Sequence, residues 1–288
     1  MLSLLAPILA AQLFLWSDRA DFWNPDKLSS ATVELDAAGQ VDSMLMFHEC
    51  TGKRVLMLVH GFNVTASSAL STYQEIENNF TLLKDYAGNE LYDVIIGYLW
   101  PGDDHGLEYY QAKKHALQAA KHMSKTIEQL TSCAASIDLF AHSMGNRLML
   151  EALKPLTKNP SKRPIRNFYS LAPAVDNESL EKGEEYYPST KQCDHIFVFH
   201  SERDDVLKYL YLTAEFDKAL GYEGEEHAKY VPMNVQFIDC TTFVGGHSEY
   251  FQTKPLYEFI LNQHEMRIVP PVSAMHLKLL ENGWAQKT

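Results

Sequence analysis

Short apolar runs alternate along this chain with stretches in which apolar residues recur at helical spacing. The runs at 54–60 and 136–141 are nearly continuous, which is typical of strands buried on both faces of a parallel sheet. Similar runs lie at 92–100, 167–171, 195–200 and 235–240. Stretches with apolar residues three and four apart lie at 68–83, 110–130, 147–156, 206–220 and 256–263. The pattern predicts an α/β fold with a mostly parallel, twisted sheet and helices on both faces.

An antiparallel hairpin is predicted ahead of this alternation. Residues 31–36 alternate between apolar and polar side chains, a turn follows at Ala38-Gly39, and 43–48 is apolar again. We place the α/β domain at 31–266. Within it, the acidic segment at 172–193 is either a small cap over the site or a solvated loop.

The two ends of the chain lie outside that domain. Residues 2–16 are strongly apolar, but no Lys or Arg follows Met1, so the charged start of a signal peptide is missing. The run is also shorter than the roughly 20 residues that span a bilayer. We expect the segment at 1–30 to pack on the core of a cytoplasmic protein without integral membrane association. A signal-like segment, with a secreted or periplasmic location, is the alternative. The tail at 267–288 is predicted to carry a short helix.

Composition excludes some classes of function. The chain of 288 residues is 46% hydrophobic and 22% charged, which is ordinary for a globular protein that builds its core without disulfides or a metal. Lys and Arg number 25 against 37 Asp and Glu, and the net charge of −12 disfavours nucleic acid as a partner. The four cysteines are far apart and form no C-x-x-C pair, so we expect buried thiols, with two disulfides as the alternative. The oligomeric state stays open.

A candidate nucleophile follows the strand at 136–141. The segment Ala141-His142-Ser143-Met144-Gly145 fits G-x-S-x-G with Ala in the first position, and helical spacing follows it. A sharp turn from strand into helix leaves no room for bulky neighbours two residues away, which explains the small residues at both ends. Ser143 is therefore the predicted nucleophile, and an ordinary serine in a tight turn is the alternative.

Two backbone amides are candidates to bind a negatively charged oxygen. The Met144 N–H lies at the start of the helix, where the helix dipole favours negative charge. The strand at 54–60 ends in His60-Gly61-Phe62, and we expect the Phe62 N–H to be the second donor. His60 is interpreted as a residue that braces this loop, not as a catalytic base.

A base and an acid are expected at the ends of later strands. His247 follows two glycines after the strand at 235–240 and is the predicted base, with a solvated loop histidine as the alternative. Asp204 follows the strand at 195–200 and is the predicted acid that orients the imidazole. Asp205 and Asp176 are the alternative acids. The chain order Ser, Asp, His is the order of α/β-hydrolases.

The motifs as a set resemble the α/β-hydrolase superfamily. They are HGFN at 60–63, YLWPG at 98–102, AHSMGNR at 141–147, S-x-x-D-D-V-L at 201–207 and GGHSEYF at 245–251. More narrowly, the chain is similar to a bacterial branch known as domain of unknown function nine hundred, over about 31–264. The resemblance implies a serine-hydrolase fold and this set of residues, but no particular substrate.

The predicted reaction is hydrolysis of a small carboxylic ester through an acyl-enzyme on Ser143, without a metal or organic cofactor. Phe62 and Trp100, together with Tyr250 and Phe251, either line an apolar acyl pocket or belong to the core. An amidase or lipase with the same residues is one alternative function. A non-catalytic binding protein on the same scaffold is the other.

Overall fold

A single large sheet organises the molecule. The computed structural model describes residues 11–21, 24–36, 39–41, 43–102, 108–156, 165–266, 276–280 and 283–286. The strands, in chain order from β1 to β11, are Gln12–Asp21, Asn24–Asp36, Gly39–Val41, Arg54–Val59, Val94–Leu99, Ser136–His142, Ile165–Leu171, His195–His200, Val235–Asp239, His276–Leu280 and Gly283–Gln286. Their order across the sheet is β11-β10-β9-β8-β7-β6-β4-β5-β1-β2-β3. The eight strands from β10 to β1 in this order are mutually parallel, and only the pairs at the two edges are antiparallel.

Helices cover both faces of the sheet. In chain order from α1 to α8 they are Ser43–Cys50, Ala66–Leu82, Tyr109–Cys133, Met144–Leu153, Tyr187–Thr190, Leu212–Glu215, Leu220–Glu223 and Lys254–Met266. A π-helical turn at Val206–Tyr211 and 3₁₀ turns at Ala228–Tyr230 and Glu249–Gln252 complete the helical segments. None of the helices in the described ranges has the length and hydrophobicity that crossing a bilayer requires.

The alternation of side chains along β4 builds two cores. Val55, Met57 and Val59 pack in the core that contains α3 and α4, whereas Leu56 and Leu58 pack in the core that contains α2 and α8. Because successive side chains of a strand point to opposite faces, a strand buried on both faces must be apolar throughout. The predicted α/β fold with a mostly parallel sheet and helices on both faces is therefore confirmed.

The prediction that residues 43–48 form the second strand of an N-terminal hairpin is wrong. Residues 43–50 form α1, in which Met46 and Cys50 are buried while Met44 is exposed, so burial recurs every four residues instead of every two. The strand β2 pairs instead with β3, with Glu34 opposite Val41. From the N-terminal apolar segment, residues 12–16 belong to β1, which pairs in parallel with β5. Residues 1–10 lie outside the described residues.

The described residues of the C-terminal tail, where a short helix is predicted, form strands. Residues 276–280 form β10, parallel to β9, and β11 folds back against it. Leu277 and Leu279 are fully buried while Leu280 is exposed, which is the alternation of a strand with one face on the core. The predicted helix at 206–220 is interrupted, because Phe216 adopts a left-handed φ of 59°.

Candidate active site

Ser143 lies at a strained turn between β6 and α4. Its φ of 53° and ψ of −127° are rare for a residue other than glycine. A Cβ on Gly145 would lie 2.5 Å from the His60 carbonyl oxygen and 2.8 Å from that of Val59. Only glycine therefore fits there without a shift of the backbone of β4. The helix α4 begins immediately after the serine, three residues earlier than the periodicity indicates.

Ser143 and His247 are in hydrogen-bond contact. The His247 Nε2 atom lies 2.9 Å from Ser143 Oγ, and its Nδ1 atom lies 2.6 Å from Asp204 Oδ2. Because a carboxylate only accepts, the imidazole proton lies on Nδ1, and Nε2 is left to accept the serine proton. The structure thus brings together the three side chains that the sequence places at the ends of β6, β8 and β9.

Asp204 is the carboxylate that reaches the imidazole. Its side chain is fully buried, and its second oxygen, Oδ1, accepts the Leu207 N–H at 3.0 Å. Asp205 is exposed, and Asp176 accepts the Tyr211 hydroxyl at 2.5 Å. Neither alternative acid contacts His247, so the geometry favours Asp204 among the three.

The segment from His60 to Val64, here called the 60–64 loop, lies against Ser143. A Cβ on Gly61 would come within 2.9 Å of Ser143 Cβ, so this approach requires glycine. The Asn63 N–H donates to the Gly102 carbonyl. Within the described part of the chain, neither the Phe62 N–H nor the Met144 N–H has an acceptor. Both predicted donors therefore have hydrogen-bonding capacity left for a ligand.

His60 braces this loop as its position suggested. The backbone carbonyl of His60 accepts the Trp100 indole N–H at 2.8 Å, and the backbone N–H of His60 donates to Tyr73 Oη at 3.0 Å. Its imidazole Nδ1 bonds the Gly61 carbonyl at 2.8 Å and Nε2 lies 3.2 Å from an Arg19 nitrogen. Burial, and secondarily the Arg19 charge, lower the pKa of His60 to about 3. The ring is therefore neutral at physiological pH.

Sequence reasoning missed Arg19. This residue of β1 is completely buried, and its guanidinium bonds the carbonyls of Trp100 and Val64 at 3.0 and 2.9 Å. A charged pair, Asp18-Arg19, at the end of an apolar run was the available signal, because a buried charge needs partners.

Sequence reasoning also missed His142, which supports the loop that carries His247. Its Nε2 donates to the His247 backbone carbonyl at 2.7 Å, and the centroids of the two imidazole rings lie 4.7 Å apart. Burial, with a smaller contribution from His247, lowers the pKa of His142 to about 3. A histidine directly before the nucleophile, inside the elbow motif, was the signal that could have identified it.

An apolar cavity of about 600 Å³ opens beside Ser143. It runs between α2 and the turn at Glu249–Gln252, and its lining comprises residues 58–64, 68, 69, 72, 73, 76, 140, 142, 143, 206, 210, 247–249, 251 and 252. Phe62 and Phe251 are among the lining residues. The described segment 172–193 contributes none of them, so it does not cap this cavity.

The prediction that Trp100 lines the pocket is wrong. Trp100 is fully buried, and its ring stacks on His60 with 5.5 Å between centroids. Its indole N–H is already used by the His60 carbonyl, so it braces the 60–64 loop from behind. Tyr250 is fully buried as well, and the neighbouring Phe251 takes the place in the lining.

Comparisons with known proteins agree with this architecture. A family model described as "Alpha/beta hydrolase of unknown function (DUF900)" matches residues 39–244. The curated "Uncharacterized protein alr1448" of Nostoc sp. (strain PCC 7120) is 25% identical in an alignment of 205 residues, and the match covers 54% of this chain and 53% of that protein. The match therefore spans about half the length of that relative.

Solved structures that match parts of the chain include a lipase and an esterase. Lipase B of Aspergillus fumigatus is 13% identical with a TM-score of 0.45, over 78% of this chain and 59% of that one. The esterase of Pyrobaculum calidifontis is 12% identical with a TM-score of 0.41, over 86% and 85% of the two chains.

Proposed function

The chain belongs to the DUF900 family of α/β hydrolases, and from that premise we propose that it hydrolyses carboxylic esters through an acyl-enzyme on Ser143. One observation carries the proposal. The hydroxyl of Ser143, the imidazole of His247 and the buried carboxylate of Asp204 form a continuous hydrogen-bonded chain that ends at an apolar cavity. A nucleophile, a base and an orienting acid in this arrangement are what acyl transfer requires.

In the first half of the reaction, Ser143 Oγ attacks the ester carbonyl carbon while its proton moves to His247 Nε2. The carbonyl oxygen becomes negatively charged and accepts hydrogen bonds from the N–H groups of Phe62 and Met144. Asp204 stabilises the imidazolium through Nδ1. The C–O bond to the alcohol then breaks, and the alcohol leaves with the proton from Nε2.

In the second half, water replaces the alcohol. His247 Nε2 removes a proton from the water as its oxygen attacks the acyl carbon. The bond to Ser143 Oγ breaks and the serine recovers its proton from the imidazole. The products are a carboxylic acid and the free enzyme.

The cavity supports a neutral substrate with an apolar acyl group. Its floor and walls include Leu58, Ile76 and Phe140, and no Lys or Arg occurs among its described lining residues. The carboxylate there, Glu249, already accepts the Gly245 N–H at 2.7 Å. An anionic acyl group would lose its hydration without gaining a cationic partner, which is costly.

A fluorophosphonate probe tests the proposal. We expect the native protein to be labelled, Ser143→Ala to be unlabelled, and Ser68→Ala, which alters another serine of the same cavity, to be labelled like the native protein. Absence of labelling in correctly folded native protein would favour the non-catalytic binding protein. Rates with ester and amide substrates of the same acyl group then separate esterase from amidase.

A further inference from the structure

Arg19 lies outside the segment that the family model matches, yet its side chain reaches the 60–64 loop. The family match begins at residue 39, whereas Arg19 belongs to β1, which pairs in parallel with β5. The guanidinium contacts the carbonyls of Trp100 and Val64 and the His60 imidazole, all within 3.2 Å. Within the described part of the chain, these partners lie on the 60–64 loop and on the strand end beside it.

The contacts fix which nitrogen of His60 carries the proton. The Gly61 carbonyl accepts from Nδ1, so the proton lies there, and Nε2 is left to accept from the guanidinium of Arg19. Arg19 is always a donor, so it selects this tautomer. The low pKa of His60 agrees: burial is its main cause, and the Arg19 charge, which would oppose a second proton on Nε2, lowers it further.

The hydrogen bond from His60 Nδ1 to the Gly61 carbonyl also orients the backbone N–H of the next residue, Phe62. The Gly61 carbonyl and the Phe62 N–H belong to one planar trans peptide unit, so they point in opposite directions. When His60 Nδ1 holds the carbonyl on one side, the Phe62 N–H is directed to the other side. That N–H has no acceptor in the described part of the chain, and the preceding Gly61 lies against Ser143.

We infer that Arg19 is a positioning residue that, through the neutral imidazole of His60, directs the Phe62 N–H toward the reacting carbonyl oxygen. The inference rests on the proposed function, because it assigns a cause to the orientation of one of the two proposed oxyanion donors. It adds β1, a strand that the family match does not include, to the parts that the reaction requires.

Two variants separate positioning from stability. Arg19→Met removes the guanidinium. Tyr98→Phe is the matched control, because its hydroxyl bonds Asp18, the neighbour of Arg19 on β1, at 2.6 Å without contacting the 60–64 loop. Both variants lose a buried polar contact of β1, and both are expected to lower the melting temperature.

Two properties are then compared between the native protein and the variants, and each is measured on the folded fraction of the protein. We expect kcat with a p-nitrophenyl ester to fall about 10- to 100-fold in Arg19→Met, less than the roughly 10²–10³-fold that follows removal of an oxyanion donor. KM should change by no more than about threefold, because the donor acts on the transition state. Arg19→Lys should recover part of kcat, since an ammonium can bond some of the three acceptors. Tyr98→Phe should keep kcat within about twofold.

The second readout does not depend on catalysis. In protein labelled with ¹⁵N-phenylalanine, the Phe62 amide signal, identified by its loss in Phe62→Leu, should shift in Arg19→Met and stay in place in Tyr98→Phe. A Phe62 signal that does not move, or a kcat equal to that of the control, overturns the inference. If the native protein hydrolyses no ester, the proposed function fails, and the amide signal alone decides whether Arg19 orients this peptide. Should Arg19→Met not fold, Arg19→Lys is measured in both readouts, with a smaller fall in kcat and a smaller shift of the Phe62 signal expected, and no change in either overturns the inference.

Discussion

Replacing Asp204 by asparagine tests the orientation of the imidazole with almost no change in shape. In the native protein, Asp204 Oδ2 accepts from His247 Nδ1 at 2.6 Å while Oδ1 accepts the Leu207 N–H at 3.0 Å. An asparagine side chain has only one oxygen. If this oxygen keeps the Leu207 N–H, the amide NH₂ faces His247 and must donate to Nδ1.

That donation reverses the tautomer of His247. With the proton moved to Nε2, the imidazole presents a donor to Ser143 Oγ where it previously presented an acceptor, and it can no longer remove the serine proton. The imidazolium that forms during the reaction also loses its buried counter-charge. A tautomer change of this type lowers kcat about 10⁴-fold, which corresponds to about 5.4 kcal/mol of transition-state stabilisation at 1.36 kcal/mol per tenfold change.

The assay is the kcat for a p-nitrophenyl ester, with circular dichroism to verify folding. Asp205→Asn is the matched control, because Asp205 is the exposed neighbour and makes no contact with His247; it should keep kcat within about twofold. If Asp204→Asn retains more than about a tenth of native kcat, or if Asp205→Asn loses as much, Asp204 does not set the tautomer of His247.

Three further changes have expected outcomes. Gly145→Ala should lower the free energy of unfolding in urea by about 1–3 kcal/mol, because its Cβ would meet the His60 carbonyl at 2.5 Å; unchanged stability would contradict the tight elbow. Thr72→Phe, in the cavity wall, should reduce kcat/KM about tenfold for an octanoyl ester and little for an acetyl ester, since excluding two methylenes costs about 0.8 kcal/mol each; an equal loss for both esters argues against an acyl site there. The pKa of His142 is about 3 in the fold and 6.5 in the unfolded chain, so the unfolded state binds the extra proton between these values and stability falls as pH falls from 6.5 toward 3. In His142→Gln the slope of the free energy of unfolding against pH over this range should correspond to up to about one proton fewer. An unchanged slope would contradict the lowered pKa of His142.

The parts of the site that the sequence predicts are those fixed by local geometry. Ser143 stands out because a strand-to-helix turn demands small residues at 141 and 145, and the structure supplies the carbonyls that a Cβ at 145 would meet. Asp204 and His247 could be selected because the carboxyl ends of parallel strands share one edge of the sheet. Local spacing and the topology rule together therefore reach the three side chains.

The parts that the sequence does not predict depend on long-range partners. Arg19 acquires its role from carbonyls 45 and 81 residues away, a relation that no local pattern encodes. The sequence leaves Trp100 open between pocket and core, because strand-end aromatics line pockets and fill cores alike, and its stacking on His60 decides between the two. The short apolar run at 43–48 fits either period, and tertiary packing of Met46 selected the helix.

The proposed reaction requires that Ser143 carries an acyl group during turnover. Stopped-flow measurement with p-nitrophenyl acetate, followed by acid quenching and peptide mass spectrometry, observes that species directly. We expect a burst of about one p-nitrophenol per active site and an acetyl group on the peptide that contains Ser143, with both absent in Ser143→Ala. Ester turnover that persists in Ser143→Ala, or an acyl group found on another residue, would contradict an acyl-enzyme on Ser143.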